Sequence, residues 1–568
     1  MTKLLLPLPI LRSLLSLCLL SGLLASCIDL KPQQDHAKVA APEAFPFVWD
    51  NATVYFLLTD RFANGNPAND QTMGRKADAA TLRGFMGGDF AGITQKINEG
   101  YFDNLGVNAL WLTPPVEQIS SPTDEGTGLT YAYHGYWARD WTAIDPNFGT
   151  LDELKTLITT AHDHGIRIVW DAVANHTGPV TMADPAWPAS WVRIEPTCDF
   201  TGYDGTVNCT LVDNLPDFRT SDQQDVAVPA FLLAKWEKEG RLEAEMAELD
   251  AFFARTGHPR SPRYYLIKWL TDWVRELGID AFRIDTAKHT EAEVWADLKA
   301  EALRALRAWK KANPALKPDD LDFFMTGEVY NYTLAGGQGF DYGDTVVNFY
   351  QSGFESMINF GFKDDAEQTP EALFSQYSAA LHGGPLDGLS VLNYLSSHDD
   401  GEPFDPARAQ PKLAGTLLLL APGSAQIYYG DETARPLTAE GAEGDANLRT
   451  FMNWEDLDEG KESTLAVLTH WQKLGQFRRA HPAVGAGSHA QLQAKPYVFR
   501  RSYRSQENLY DEVVVGMGLV AGEVVTLPIG DAFAPGTELT DYYSGQTITV
   551  ADSVVQITPA GSLVLLGR

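Results

Sequence analysis

Three acidic residues stand at the ends of separate short apolar runs. Asp285 closes Phe282-Arg283-Ile284, Glu328 follows Phe323-Phe324-Met325-Thr326-Gly327, and Asp399 follows Ser396-Ser397-His398. A single carboxylate in a sequence is by default a solvated surface acid. Three at the ends of apolar runs, two of them with Arg or His within two residues, point instead to a reacting centre. Two carboxyl groups facing one bond suit glycoside hydrolysis, in which one stays ionised and the other protonated. Arg283 lies two residues before Asp285, so on a strand both side chains project to the same side. Its charge favours the ionised form of Asp285. Glu328 follows an apolar stretch, and partial desolvation beside two other carboxylates should keep it protonated, as an acid catalyst requires.

Carboxylates so far apart in the chain meet only if the elements carrying them end on one rim. Short, β-branched apolar runs recur at 54–58, 107–112, 166–171, 280–284, 323–326, 357–360, 390–395 and 425–428. Helical patterns lie between several of them. In one, Tyr264, Leu266, Ile267, Leu270, Trp273, Val274 and Leu277 repeat with helical spacing. Eight strands alternating with helices predict an α/β fold, a parallel (β/α)8 barrel whose reactive residues sit at the C-terminal strand ends. A helix bundle would need longer, less β-branched runs. The interval after the third strand is too long for one crossover, so 177–262 is read as an inserted domain. The barrel then takes 45–176 and 263–482. Residues 483–568 carry runs at 497–503, 513–520, 523–528 and 554–566 without helices between them, which predicts a C-terminal antiparallel β domain.

The chain has 568 residues, 44% hydrophobic and 11% aromatic, enough for a large core and about three domains. Its net charge of −31 argues against a nucleic-acid partner, which would need a basic face. Four cysteines are too few for a disulfide scaffold. Residues 1–26 read as an export leader: Lys3 and Arg12 flank or interrupt a Leu-rich run that ends in small residues. Pro7, Pro9 and Arg12 leave too short an uninterrupted run for a membrane span. The ending Leu24-Ala25-Ser26-Cys27 resembles the bacterial lipobox. That resemblance implies a lipidated Cys27, a polar tether over 27–44, and membrane contact only through the anchor. Ile28 follows the cysteine and no Asp stands there, which favours the outer membrane facing the periplasm. In an oxidising compartment Cys198 and Cys209, in a Gly/Asp/Asn-rich stretch, are expected to pair.

Asp171 to His176, Gly278 to Asp285, Gly327-Glu328 and His398-Asp399 resemble the four signature regions of the α-amylase family, glycoside hydrolase family thirteen. Tyr133-His134-Gly135-Tyr136-Trp137, Leu215-Pro216-Asp217 and Ile427-Tyr428-Tyr429-Gly430-Asp431-Glu432 are similar to further motifs of that family. Within it, Asn51-Ala52-Thr53-Val54-Tyr55-Phe56 and Asp285-Thr286-Ala287-Lys288-His289 look most like the periplasmic α-amylases of Gram-negative bacteria. The resemblance covers residue 50 to the end. It implies Asp285 as nucleophile, Glu328 as general acid/base and Asp399 as a grip on the sugar hydroxyls. It places His134, Tyr136, His176, Arg283 and His398 around the cleaved sugar, with Tyr136 stacking on it. Lys288 and His289 would line the leaving-group side. Retention then calls for carboxyl groups about 5–5.5 Å apart.

The same resemblance implies Ca2+ at one or two sites. Asn175, Asp217 and the His289 carbonyl would form the first. Asn64, Asn66, Asn69 and Asp70 with Gly87 and Asp89 would form the second, similar to the N-terminal calcium loop of cyclodextrin glucanotransferases; without an ion this is simply an Asn/Gly-rich turn. The implied function is calcium-dependent, retaining endo-hydrolysis of α-1,4-glucan by a monomer. A cyclodextrin glucanotransferase is the alternative. Such enzymes place a bulky aromatic four residues before the Asp of the Leu-Pro-Asp motif, where this chain has Asp213. They also carry extra starch-binding domains, whereas this sequence ends after one β domain. Both points favour hydrolysis. A non-catalytic glycan-binding lipoprotein would need a broken carboxylate triad, and all three acids are present. Trp187 and Trp191 are read either as sugar platforms or as core.

Overall fold

The structure, a computed structural model, describes residues 45–505 and 508–568. The leader, Cys27 and the tether lie outside the described residues. Among the described residues no helix is long and apolar enough to cross a membrane.

Eight parallel strands close into a barrel: β1 Thr53–Leu57, β2 Ala109–Leu112, β3 Arg167–Ala172, β4 Ala281–Ile284, β5 Phe324–Gly327, β6 Ser356–Asn359, β7 Ser390–Asn393 and β8 Ser424–Tyr428. The pairing runs in chain order and closes with Thr53 opposite Ala425. All residues of these strands are buried, which is why β1 and β2 read as nearly unbroken apolar runs rather than alternating ones. Register places Arg283 of β4 opposite both Asp171 of β3 and Thr326 of β5. One arginine therefore faces the ends of three adjacent strands.

Local signals set the helices that clamp the barrel. Leu151–Asp163 starts from a capping box in which Thr150 and Glu153 satisfy each other's backbone N–H groups. Pro262–Leu277 begins with Pro at its first turn and stops at Gly278, whose φ is +76°. A Cβ there would lie 2.3 Å from the Trp309 ring, so this glycine allows both the left-handed turn and the close approach of helix Ala292–Ala312.

Between β3 and β4 the chain makes a long excursion. It contains the short pair Val192–Arg193 with Asp217–Phe218, helices Ala230–Lys238 and Leu242–Thr256, and a Cys198–Cys209 disulfide. Trp187 and Trp191 are buried here. Trp191 stacks on Trp269 with ring centroids 5.8 Å apart, and Trp187 packs edge-on against Trp141, Phe218 and Phe231. They are core residues, not sugar platforms: Trp191 fastens the excursion to helix Pro262–Leu277, and Trp187 packs it against Trp141.

The C-terminal region holds eight strands where four were expected: β9 Ser488–Gln493, β10 Tyr497–Arg504, β11 Tyr510–Met517, β12 Val525–Pro528, β13 Glu538–Asp541, β14 Thr547–Thr549, β15 Val554–Ile557 and β16 Leu563–Gly567. Six form a sheet in the order β9-β10-β11-β16-β13-β14, and β12 pairs with β15. The run read as one strand over 554–566 breaks at Pro559, because proline cannot continue a ladder. The short, half-polar β13 and β14 carry no strand signal of their own. Alternation sorts the sheet's two faces. Phe499, Val513, Val515, Leu563 and Leu565 join the main core, while Val498, Val514, Val564 and Leu566 join a second one with Leu527 and Val555.

Candidate active site

The C-terminal ends of β3, β4 and β5 converge on Arg283, which is 1% exposed. Its Nη1 donates to Asp171 Oδ1 at 2.8 Å and to Asp285 Oδ1 at 2.7 Å, and its Nη2 lies 3.0 Å from Glu328 Oε2. A single guanidinium thus joins the two expected catalytic carboxylates. Asp171 is the residue whose role the sequence left unread. Its Oδ2 accepts from Trp111 Nε1 at 3.0 Å and from the Tyr136 hydroxyl at 2.8 Å, so it ties Arg283 to the ring of Tyr136. The available signal was its place at the end of β3, one strand from Arg283.

Glu328 is buried, and desolvation pushes its carboxyl up to about 8. Arg283 opposes that rise, while Asp285 and Asp399 add to it. Desolvation likewise raises Asp171, to about 6. The Thr286 N–H donates to Glu328 Oε2 at 2.7 Å, and the Thr286 hydroxyl donates to Asp285 Oδ2 at 3.2 Å. Thr286 has φ +47°, a left-handed conformation that β-branched residues rarely take. That strain aims one backbone donor at the acid, as is common where geometry serves chemistry.

His398, at the end of β7, stacks on Tyr136 with centroids 5.2 Å apart, and Tyr136 in turn stacks beside His134 at 5.8 Å. The Tyr136 N–H donates to His134 Nδ1 at 3.1 Å. Burial, reinforced by Arg449, holds both imidazoles well below their usual range, so they are neutral. Arg449 also donates from Nε to the His398 carbonyl at 2.9 Å. His176 is lowered by burial as well. Its Nε2 meets the Tyr136 carbonyl at 3.1 Å and its buried Nδ1 has no partner. Asp399 is the open member of the set, with its side chain 41% exposed beside His398 Nδ1 at 3.6 Å. Lys288 donates to the Tyr330 carbonyl at 3.2 Å, and His289 Nδ1 meets the Thr206 carbonyl at 2.9 Å.

Two oxygen-rich sets correspond to the calcium expectations. Among the described residues no cluster of three or more His, Cys, Asp or Glu side chains is placed to hold a metal. Any ion would therefore rest on amide and carbonyl oxygens too, which suits a hard cation. At the first set Asp217 is buried and raised well above the carboxylate range by desolvation. Its Oδ1 accepts from Asn175 Nδ2 at 2.6 Å. A buried carboxylate with an amide as its direct partner is a site that a cation would relieve. At the second set Asn64 Nδ2 donates to Asp70 Oδ1 at 2.8 Å, and both side-chain polar atoms of Asn69 are buried without a partner. A Cβ on Gly87 would lie 2.4 Å from Asn64 Nδ2 and 2.7 Å from Asp70 Oδ1, so the glycine keeps this cradle open. Asn66 accepts from Ala68 N. Asp89 is engaged otherwise: it caps helix Phe90–Asn98 and accepts from the N–H groups of Gly65, Asn66 and Gly92, thereby shaping the loop. Both donor sets fit calcium.

The sequence matches the family described as alpha amylase, catalytic domain, over residues 56–475. The chain belongs to the α-amylase family. It is a glycoside hydrolase of that family with the family's barrel. It is 38% identical over 516 residues to the periplasmic alpha-amylase of Escherichia coli, covering 81% of this chain and 71% of that one. It is 29% identical to the cyclomaltodextrin glucanotransferase of Bacillus sp. (strain 1011), over 77% of this chain but only 55% of that protein's length. Among solved structures, an Anoxybacillus alpha-amylase superposes with a TM-score of 0.61 at 22% identity, covering 92% of this chain and 99% of that one. A cyclomaltodextrin glucanotransferase with a three-domain ABC distribution superposes with a TM-score of 0.62 at 19% identity, covering 91% and 99%.

Proposed function

We propose that this family member hydrolyses internal α-1,4-glucosidic bonds of starch and maltodextrins with retention of configuration, as a calcium-dependent monomer in the periplasm, held at the outer membrane through Cys27. The observation that carries the chemistry is the Arg283 guanidinium joining Asp285 to a buried Glu328 whose carboxyl desolvation pushes up towards the protonated form. Because Oδ1 of Asp285 is engaged with Arg283, Oδ2 is the attacking oxygen. Because Oε2 of Glu328 accepts from Thr286 N and faces Arg283, the transferable proton sits on Oε1.

In the first step Glu328 Oε1–H gives its proton to the glycosidic oxygen as the bond to the anomeric carbon breaks. Asp285 Oδ2 forms the ester to that carbon. In the second, the Glu328 carboxylate takes a proton from water, whose oxygen attacks the same carbon and releases Asp285. Tyr136, held by Asp171, offers a flat face to the sugar, while neutral His134, His176 and His398 and the open Asp399 meet its hydroxyls. Asn175, Asp217 and the His289 carbonyl would hold one calcium ion; Asn64, Asn69, Asp70 and the Gly87 carbonyl would hold another, with Asn66 and Asp89 shaping its loop. When bound, the ions supply charge that fixes these loops.

Cyclisation is the second reading, favoured by the glucanotransferase relatives. The solved three-domain glucanotransferase removes domain count as a discriminator. Asp213 remains: it is exposed, where a cyclising enzyme would set its central aromatic. The similarity to the Escherichia coli periplasmic alpha-amylase supports hydrolysis. A timed product profile on maltoheptaose and soluble starch decides: linear maltooligosaccharides support hydrolysis, cyclodextrins overturn it, and binding without new reducing ends overturns catalysis.

A further inference from the structure

Two loops from distant parts of the chain lock onto the segment just past β4. The first is the ring closed by Cys198–Cys209. Its Thr206 carbonyl meets His289 Nδ1 at 2.9 Å, and Phe200, 54% exposed, stands edge-on to the His289 ring with centroids 6.0 Å apart. The second is the hairpin after β5, in which Phe340–Asp341 pairs with Val346–Val347. Tyr342 at its turn donates its hydroxyl to the Lys288 carbonyl at 2.7 Å. The loops also join each other. Asp344 Oδ1 accepts from Tyr203 N at 2.9 Å, and the Tyr203 and Tyr342 rings meet edge to face at 5.2 Å. Gly202 leaves room for the Asp344 carboxylate, since a Cβ there would lie 2.3 Å from its Oδ2. The Lys288 ammonium sits 5.2 Å from the Tyr330 ring centroid and 5.4 Å from that of Phe340 in the hairpin.

The segment being held needs such support. Thr286 is left-handed and Ala287–His289 is a single 3-10 turn. The His289 N–H bonds the Thr286 carbonyl at 2.9 Å and Ala287 is held by Glu328 and Trp295, which leaves the Lys288 carbonyl and the His289 ring to be held by the two loops. We propose that the disulfide ring and the 340–347 hairpin, joined through Tyr203, Tyr342 and Asp344, form a brace that positions Lys288 and His289 for the sugar on the leaving-group side. The brace thereby sets how tightly an acceptor glucan is held, and so the share of covalent intermediate passed to sugar rather than to water. This rests on the α-glucan reading above. Ordering these groups before substrate arrives removes that cost from binding. Among the described residues neither Tyr342 nor Asp344 is hydrogen-bonded to Asp285, Glu328 or Asp399, so both are positioning residues.

The test uses the full chain with Tyr342→Phe, Asp344→Ala and Asp344→Asn, assayed on maltoheptaose and maltotetraose with hydrolysis and transfer products counted separately. Tyr342→Phe and Asp344→Ala are expected to raise KM for maltoheptaose about five-fold, the size of one lost hydrogen bond. They should also lower the transfer share and leave kcat within about two-fold. Asp344→Asn, which keeps an acceptor for Tyr203 N–H, stays near wild type. Unchanged KM and product split in Tyr342→Phe, whose ring is retained and which is therefore expected to fold, overturn the brace. An equal loss of kcat on both substrates at unchanged KM overturns it as well. A wild-type protein that leaves maltoheptaose and starch intact overturns the α-glucan reading instead.

Discussion

Replacing Arg283 with Met removes the one cation that Asp171, Asp285 and Glu328 share, at 2.8, 2.7 and 3.0 Å. Removing one partner of a buried ion pair typically costs about 3–5 kcal/mol, because the remaining charge is left without compensation. That is a large part of the roughly 5–15 kcal/mol that holds a domain folded. The loss should also depend on pH, in a direction the structure fixes. Glu328 and Asp171 have pKa values raised on folding, to about 8 and about 6, so the folded chain binds protons the unfolded one releases. The stability tied to them is complete below the unfolded values and is lost as pH climbs through the folded ones. Arg283 restrains both rises, so Arg283→Met pushes them further up and adds about 1.4 kcal/mol of loss at high pH for each unit gained. Scanning calorimetry of variant and wild type at pH 5 and pH 8 therefore should show a larger drop in melting temperature at pH 8. A drop that is the same at both pH values, or a cost below about 1 kcal/mol, would refute the shared-guanidinium account.

Glu328→Gln should lower kcat by about 10²–10⁴-fold while maltodextrin still binds, as isothermal titration would show; retained turnover contradicts its acid role. In the wild type, kcat/KM should fall as pH rises through about 8, where Glu328 loses its proton, and a profile flat to pH 9 would remove it as the acid. EDTA should lower both melting temperature and activity, with recovery on adding calcium; indifference to EDTA counts against both donor sets. Trp187→Ala should cost about 3–5 kcal/mol of stability through a core cavity, measured by denaturant titration of folded variant and wild type, and leave KM for maltoheptaose unchanged.

The barrel was legible because its strands are buried on both faces, so several read as short unbroken apolar runs, as in 54–58. That Asp285 and Glu328 would meet was legible because both stand at strand ends, and the structure brings them together on Arg283. Asp171 went unassigned because its role exists only through register: nothing in its own neighbourhood says that Arg283 lies opposite. The brace was hidden for the same reason, since Asp344 and Tyr203 are more than a hundred residues apart and their contact depends on tertiary folding. Trp187 and Trp191 looked ambiguous because an aromatic on a polar, Gly-rich stretch has the same composition whether it faces solvent or core. The short β13 and β14 depend on neighbouring strands for their pairing, so local pattern could not reveal them.

Double displacement requires Asp285 to attack the sugar carbon whose leaving oxygen Glu328 protonates, with a covalent intermediate between the two steps. Following maltoheptaose cleavage by proton NMR, before mutarotation, reads the first-formed anomer directly. Two displacements at one carbon give the α-anomer first; an initial β-anomer contradicts Asp285 as the nucleophile.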